Sequence, residues 1–267
     1  MGKVGFGVIG AGILGANHAQ VYSRLPGSEL IAVCDSDAER AQAVAKKYGA
    51  QEQYSNFEDL LGNPDIQAVS IATPDHVHRD IAVAAAKAGK HILCEKPLAL
   101  NVEDAQTIVD TANEAGVKLM IDFQNRVNPT FVAAKQSIEA GEIGRPSYAY
   151  IRLSNTLFVP LEMLSWASES SALWFLCGHT VDLMRFLLQD EVRRVYAVTR
   201  SGILKDLGVD TQDFHVAIAE FEKGTVVTFE NAWILPQSHP VRLPRPQYQE
   251  SECRHGTQST VARLRSQ

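Results

Sequence analysis

From residue 4 to residue 122, short and almost uninterrupted apolar runs alternate with longer segments in which apolar positions recur at helical spacing. The runs are Val4 to Ile9, Leu30 to Cys34, Ala68 to Ile71, His91 to Cys94 and Lys118 to Ile121. Strands covered on both faces need apolar residues at nearly every position, so this texture predicts a mostly parallel sheet built from repeated βαβ units. Helices are predicted between the runs, near Leu14 to Leu25, Ala38 to Tyr48, His76 to Ala88 and Val102 to Ala115. Gly89 and Gly116 follow the last two, where a left-handed C-terminal cap favours glycine.

After Asp122 the pattern changes. A helix is predicted over Pro129 to Ala140, then a turn over Gly141 to Pro146. Strands with alternating apolar and polar residues follow at Ser147 to Arg152, Val195 to Arg200, Phe214 to Phe221 and Val226 to Trp233. Such alternation marks half-buried strands, here of one antiparallel sheet, and a long helix from Trp174 to Leu188 interrupts them. The fold class is therefore α/β over residues 1–122, followed by an α+β domain with a mostly antiparallel sheet over residues 123–240. No Pro/Gly/Ser linker separates the two, which predicts a rigid junction.

Residues 241–267 break both patterns. They hold five Arg, no Lys and two Glu, a local charge of +3 in a chain whose formal net charge is −6. Their apolar residues are few and aperiodic, so a disordered tail is expected. Five dispersed arginines make a poor nucleic-acid patch, and the acidic remainder offers no positive field, so no nucleic-acid partner is expected.

Composition narrows the picture further. Of 267 residues, 45% are hydrophobic and 21% charged, enough apolar material for a substantial core. No stretch approaches the ~18 consecutive apolar residues of a membrane helix, and the N-terminus lacks the features of a signal peptide, so no membrane contact and a cytoplasmic location are expected. Cys34, Cys94, Cys177 and Cys253 are scattered without a paired spacing, which favours free thiols over disulfides or a metal site.

The first chemistry lies at Gly10-Ala11-Gly12-Ile13-Leu14-Gly15, a G-x-G-x-x-G that leaves a predicted strand and opens a predicted helix. Gly10 permits the tight turn, Gly12 lets a pyrophosphate approach the backbone, and Gly15 lets the helix pack on the strand. The free amides near Ile13 and Leu14 would face the phosphates. Asp35 stands twenty residues after Gly15, at the end of the second strand. Its carboxylate can accept from both adenosine ribose hydroxyls and would repel a 2′-phosphate, so NAD is favoured over NADP. Ser36 and Arg40 are further candidate contacts, and Arg40, one turn into the next helix, is the main argument for NADP. Asp35 could also cap the helix that begins at Ala38.

Thr73, Pro74, Asp75, His76, Val77 and His78 follow the strand predicted at Ala68 to Ile71, at the carboxyl end where open α/β sheets bind ligands. Thr73, Pro74, His76 and His78 are candidate cofactor contacts, with a surface position the alternative for either histidine. Glu95-Lys96-Pro97 ends the run His91 to Cys94 in the same way. Partial burial and a neighbouring cationic ring would lower the pKa of Lys96 and suit it to proton transfer.

Taken together these residues resemble the glucose-fructose oxidoreductase / inositol dehydrogenase / MocA-type oxidoreductases. The resemblance rests on the glycine motif, the T-P-x-x-x-H segment ending in His78, Glu95-Lys96-Pro97, Gln124-Asn125-Arg126-Val127-Asn128-Pro129, and His179-Thr180-Val181-Asp182. It spans about residues 3–240. It implies a Rossmann domain, then an α+β domain whose sheet faces a second subunit in a homo-oligomer, with the active site between the domains. It also implies that Lys96 is the central catalytic residue and that His179 relays the proton of a substrate hydroxyl. Asp182 and Arg126 are candidate contacts to substrate or supporting groups, Arg126 also to the cofactor. Helical geometry pairs His179 with Asp182, since residues three apart share a face.

Two departures stand out. Many inositol dehydrogenase-like members carry an aspartate four residues before this histidine, and here Phe175 stands there. Trp174 and Phe175 could form an aromatic wall for a sugar ring, with core packing the favoured alternative. Family chains also continue past the strand that ends here in Phe229 to Trp233, whereas this chain enters its arginine-rich segment, so the second domain is expected to be C-terminally incomplete. The function expected is NAD-dependent hydride transfer from a secondary hydroxyl of a cyclic polyol, sugar or sugar derivative. A catalytically weak cofactor-binding or regulatory protein is the rival reading. An NAD-dependent glycosidase on a similar fold is disfavoured because Lys96 is retained.

Overall fold

The computed structural model describes residues 2–237 and the backbone of the strand at 258–266. The chain divides into two compact units, Met1–Asp122 and Phe123–Gln267, each described here by itself.

The first unit runs β1 (Val4–Ile9), α1 (Ile13–Arg24), β2 (Ser28–Cys34), α2 (Ala38–Tyr48), β3 (Glu52–Tyr54), α3 (Phe57–Leu61), β4 (Ala68–Ile71), α4 (His78–Lys87), β5 (His91–Cys94), α5 (Val102–Glu114) and β6 (Leu119–Ile121). Its six strands are all parallel, in the order β3-β2-β1-β4-β5-β6. The strand order reverses direction at β1, which has β2 on one side and β4 on the other. That crevice is where open parallel sheets take ligands. Successive residues of β1 serve opposite faces: Val8 packs with Ala19, Tyr22 and Val44, whereas Ile9 packs with Val69, Ile71 and Ile81. Burial on both faces is why these strands read as unbroken apolar runs.

Local signals set the helix ends. The Asp37 side chain accepts from Arg40 N at the start of α2, and Gly49 closes that helix at φ +74. Asn101 caps α5 through Asp104 N. Helix α4 starts later than its periodicity predicts, because Asp75–Val77 form a 3₁₀ turn behind Pro74. The short β3 and α3 escaped the sequence reading: three residues of polar edge strand and five of helix carry too little periodicity.

The second unit runs α6 (Pro129–Glu139), β7 (Pro146–Thr156), α7 (Gly178–Leu188), β8 (Val192–Arg200), α8 (Ile203–Asp206), β9 (Phe214–Phe221), β10 (Val226–Leu235) and β11 (Gln258–Ser266). The sheet order is β11-β7-β10-β9-β8. Three of its pairings are antiparallel, as alternation suggested, but β10 lies parallel to β7. The sheet is therefore mixed and mostly antiparallel. Periodicity along one strand says nothing of its neighbour's direction, and the long crossover between β7 and β10 allows the parallel pairing. Leu183, Met184 and Leu187 of α7 join Ala149, Ile151, Phe221, Val227 and Phe229 in the core on one sheet face, with Phe131 and Ile138 of α6 packed against it.

The helix expected from Trp174 to Leu188 is two structures. Leu173–Cys177 form a π-helical turn, and the α-helix begins at Gly178. The wide turn separates two packing tasks: Leu176 belongs to a cluster with Leu153, Leu204 and Trp233, while the α7 residues face the sheet. Most of the tail expected to be disordered, residues 241–257, lies outside the described residues. Over Gln258–Ser266 that expectation does not hold, since these residues pair antiparallel with β7. An open strand edge offers backbone partners that composition cannot reveal.

Candidate functional site

The strand register of the first unit assembles the candidate residues. Ile9 pairs with Cys34 and Ile71, Ile71 with Cys94, and Cys94 with Ile121. The next residue on each strand therefore falls in one row at the carboxyl edge: Gly10, Asp35, Ala72, Glu95 and Asp122. The ladder continues into this row through Gly10 N to Cys34 O, Ala72 N to Ile9 O, Glu95 N to Ile71 O and Asp122 N to Cys94 O, at 2.8–2.9 Å.

Each glycine of the loop has a distinct constraint. Gly10 has φ +96, and a Cβ there would fall 2.4 Å from Ala72 O. At Gly15 a Cβ would fall 1.7 Å from Gly10 O, so the helix start and the strand end touch backbone to backbone. At Gly12 a Cβ meets nothing within 4 Å, which leaves the backbone open to approach from outside. Gly12 is the N-cap of α1, with no side-chain cap and no acid in the first turn. The first amides of α1 and the positive end of its dipole thus face that opening. Ile13 and Leu14 at this end are exposed.

Asp35 is buried, and both its oxygens already work locally: Oδ2 accepts from Ala11 N at 2.7 Å and Oδ1 from Asp37 N at 2.9 Å. It holds the glycine loop and leaves lone pairs for a further donor. The capping role considered for it falls instead to Asp37. Ser36 is exposed, and the half-exposed Arg40 bridges Asp37 at 3.1 Å and Asp35 at 3.6 Å.

Thr73 and Pro74 stand beside this row, and Thr73 Oγ1 is buried without a hydrogen-bond partner among the described residues. His76 is exposed. His78 is 1% exposed, with Nδ1 2.7 Å from Pro97 O and Nε2 3.1 Å from Thr73 O. The buried ring lies between a carbonyl of the loop after β4 and one of the loop after β5, and as a neutral imidazole it donates to one of them. Burial pushes its pKa down, against the two carbonyls that favour the cation.

Glu95 is 6% and Lys96 7% exposed. Burial lowers the pKa of Lys96, and the charges of Glu95, Asp75 and Asp122 oppose that shift. Sequence reasoning passed over the residue behind this pair. His18, on the inner face of α1 one turn after Gly15, places Nε2 3.3 Å from Glu95 Oε1 and 3.5 Å from Asp122 Oδ2. Its Nδ1 lies 2.5 Å from Ser70 Oγ. The helical spacing of Gly15, His18, Ala19 and Tyr22 was the available signal, a histidine on an apolar stripe.

In the second unit, Arg126 grips Asp182 with Nε at 2.9 and 3.1 Å and a terminal nitrogen at 2.5 Å. Asp182 is buried, and its hydrogen bonds raise the Arg126 pKa further. Arg126, which grips this carboxylate, stands fifty-six positions away in the chain, a partner that helical spacing does not reveal. The Arg126 guanidinium also stands 5.8 Å from the ring centroids of Phe123 and of Phe186. His179 is buried on α7. Phe175 packs in the core, its ring centroid 5.7 Å from Trp233 and 6.1 Å from Trp166. Among the described residues no helix is long and apolar enough to cross a membrane.

Comparison with known proteins agrees with this layout. Residues 4–123 match the oxidoreductase family with NAD-binding Rossmann fold, and residues 131–249 match the GFO/IDH/MocA C-terminal domain. A 1,5-anhydro-D-fructose reductase of Ensifer adhaerens is 32% identical over 85% of this chain and 69% of its own length. The scyllo-inositol 2-dehydrogenase (NAD(+)) of Bacillus subtilis is 31% identical over 88% of the chain and 69% of its own. A levoglucosan dehydrogenase solved in complex with NADH and levoglucosan superposes with TM-score 0.79 at 31% identity, covering 85% of this chain and 66% of that one. The chain spans about two-thirds of the length of these relatives. On sequence, fold and motif alike, it belongs to the Gfo/Idh/MocA family of NAD-binding Rossmann-fold oxidoreductases.

Proposed function

We propose that the chain is an NAD-dependent dehydrogenase that oxidises a secondary hydroxyl of a cyclic polyol, sugar or sugar derivative. The observation that carries this reading is Lys96, an almost fully buried amine beside the carboxyl-edge row that also holds the glycine loop and Asp35. The residues fit a dinucleotide. Gly12 and the open start of α1 would take the pyrophosphate, Asp35 the adenosine ribose, and the unpartnered Thr73 Oγ1 a further polar atom. Asp35 carries its charge beside Arg40, and we infer a preference for NAD over NADP from the carboxylate that a 2′-phosphate would have to face.

The nicotinamide, when bound, supplies the hydride acceptor. Lys96 takes the hydroxyl proton in the oxidation direction and returns it in reduction. Burial brings its neutral form closer to neutral pH, and the surrounding carboxylates keep the protonated form attainable. His179 is assigned the proton relay, and Arg126 holds Asp182 ready as a fixed polar support in the second unit.

The test is a screen at the reduced-nicotinamide absorbance band with inositols, aldoses, anhydrosugars and sugar acids, run with NAD and with NADP. Lys96→Met should keep NAD affinity within a few-fold by calorimetry while turnover falls ~10²- to 10⁴-fold. Turnover by Lys96→Met at the unaltered rate would remove Lys96 from the mechanism. A second reading, a cofactor-binding protein of low activity, is favoured by Phe175, whose aromatic ring stands in place of a carboxylate four positions before His179. NAD binding without turnover across the whole panel would support it.

A further inference from the structure

A buried polar chain runs behind Lys96, and none of its inner members has a part in the proton transfer proposed above. It starts at Tyr22 on α1, whose hydroxyl donates to Ser70 Oγ on β4 at 3.2 Å. Ser70 meets His18 Nδ1, and His18 Nε2 reaches Glu95 and Asp122 beyond the ends of β5 and β6. His18, Glu95 and Asp122 bring one polar atom each to within 4.8 Å of the others.

The tautomer follows from the partners. An ionised carboxylate only accepts, so the nitrogen facing Glu95 and Asp122 must carry hydrogen. Without that N–H two carboxylates would face each other in a buried pocket, where like charges disfavour double ionisation. Burial pushes the Asp122 carboxyl up, Glu95 pushes it further, and His18 and Lys96 pull it down. Glu95 is joined covalently to Lys96, and Glu95, Asp75 and Asp122 are the three carboxylates whose charge acts on the Lys96 amine. A change in the His18 bridge therefore changes the electrostatic surroundings of Lys96 without touching it.

We propose that His18 and Asp122 are positioning residues that set the proton affinity of Lys96, His18 by pinning Glu95 and Asp122 through one shared N–H, Asp122 by adding negative charge to the surroundings of the ammonium. The proposal rests on the reading of Lys96 as the acid/base, but the property it concerns can be measured without substrate. The two residues act in the same direction. Removing the Asp122 charge makes the ammonium harder to keep. Removing the shared N–H leaves Glu95 and Asp122 facing each other, which disfavours their double ionisation and again takes negative charge from the surroundings of the ammonium.

The experiment is an NMR titration of the intact protein labelled with ¹³C-lysine, the Lys96 signal being assigned by its loss in Lys96→Met. In Asp122→Asn the midpoint should fall by ~1 pH unit, the size typical of losing one nearby opposite charge. In His18→Leu, which removes the shared N–H, it should fall as well. The acid limb of the turnover profile should move the same way in each variant, which a merely structural defect would not produce. Asp122→Asn is isosteric, so it decides the matter alone if His18→Leu fails a circular dichroism check. Midpoints unmoved in folded variants would overturn the proposal even if Lys96→Met abolishes turnover. Lowered midpoints in both variants alongside an active Lys96→Met would uphold the network while removing Lys96 from the chemistry.

Discussion

Gly12 and Gly15 differ by three positions and by everything that surrounds them. A methyl at Gly15 would meet Gly10 O at 1.7 Å, closer than any packing tolerates, whereas at Gly12 it would meet nothing. Gly15→Ala should therefore lower stability by ~1–3 kcal/mol or more, as overpacking against rigid backbone does. Gly12→Ala should leave the melting temperature nearly unchanged and weaken NAD binding, since the methyl fills only the space a ligand would use. Thermal melts and calorimetry on the two variants separate these effects, and a Gly15→Ala protein as stable as the original would contradict the contact. The motif's spacing made the loop legible in the sequence. The division of labour inside it depends on which backbone atoms lie across the turn. The same holds for His78 and Asp35: spacing marked both as residues of the ligand edge, but only folded geometry shows His78 set between two loop carbonyls and Asp35 holding Ala11. His18 was illegible because a histidine on an apolar helical stripe has no partner until distant strands supply Ser70, Glu95 and Asp122.

Among the elements, the π-helical turn at Leu173–Cys177 settles what Phe175 does. Its ring completes an aromatic row from Trp166 to Trp233, within the cluster that holds Leu176 and Leu204. Phe175→Asp, which would install the aspartate that many inositol dehydrogenase-like members carry, should not raise turnover. It should cost ~3 kcal/mol or more, from the lost ring and from a carboxylate placed among apolar neighbours. Denaturant melts followed by tryptophan fluorescence would show this, and a stable, more active variant would contradict it. Sequence reading placed the long elements well because each carries several periods of pattern. It missed β3 and α3 for want of length, and it ran the π turn into α7 because a residue inserted into one turn barely disturbs an average over fifteen.

For the molecule as a whole, the edge of the second sheet matters most. β11 pairs with β7 from Gln258 to Ser266 and covers backbone groups that would otherwise form an open strand edge. A chain cut after Pro240 should lose that cover. We expect a melting temperature lower by several degrees and concentration-dependent association, both readable by light scattering, because long unpaired edges recruit other strands. The first unit should be indifferent to the cut: its parallel sheet and both its core clusters lie within residues 1–122.

The parallel pairing of β7 with β10 also has a meaning in time. Tyr150 and Glu230, which share a hydrogen bond across these strands, are eighty residues apart in the chain. At the ~5–20 residues per second of protein synthesis, β7 therefore leaves the ribosome some 4–16 seconds before its parallel neighbour exists, and longer before β11 does. During that interval the βαβ units of residues 1–122, whose strands pair with partners made close by, can already fold. Ala149, Ile151 and Leu153 wait with one apolar face uncovered and two bare edges. A ribosome stalled near residue 200 would therefore display β7 as a ready template for misassembly.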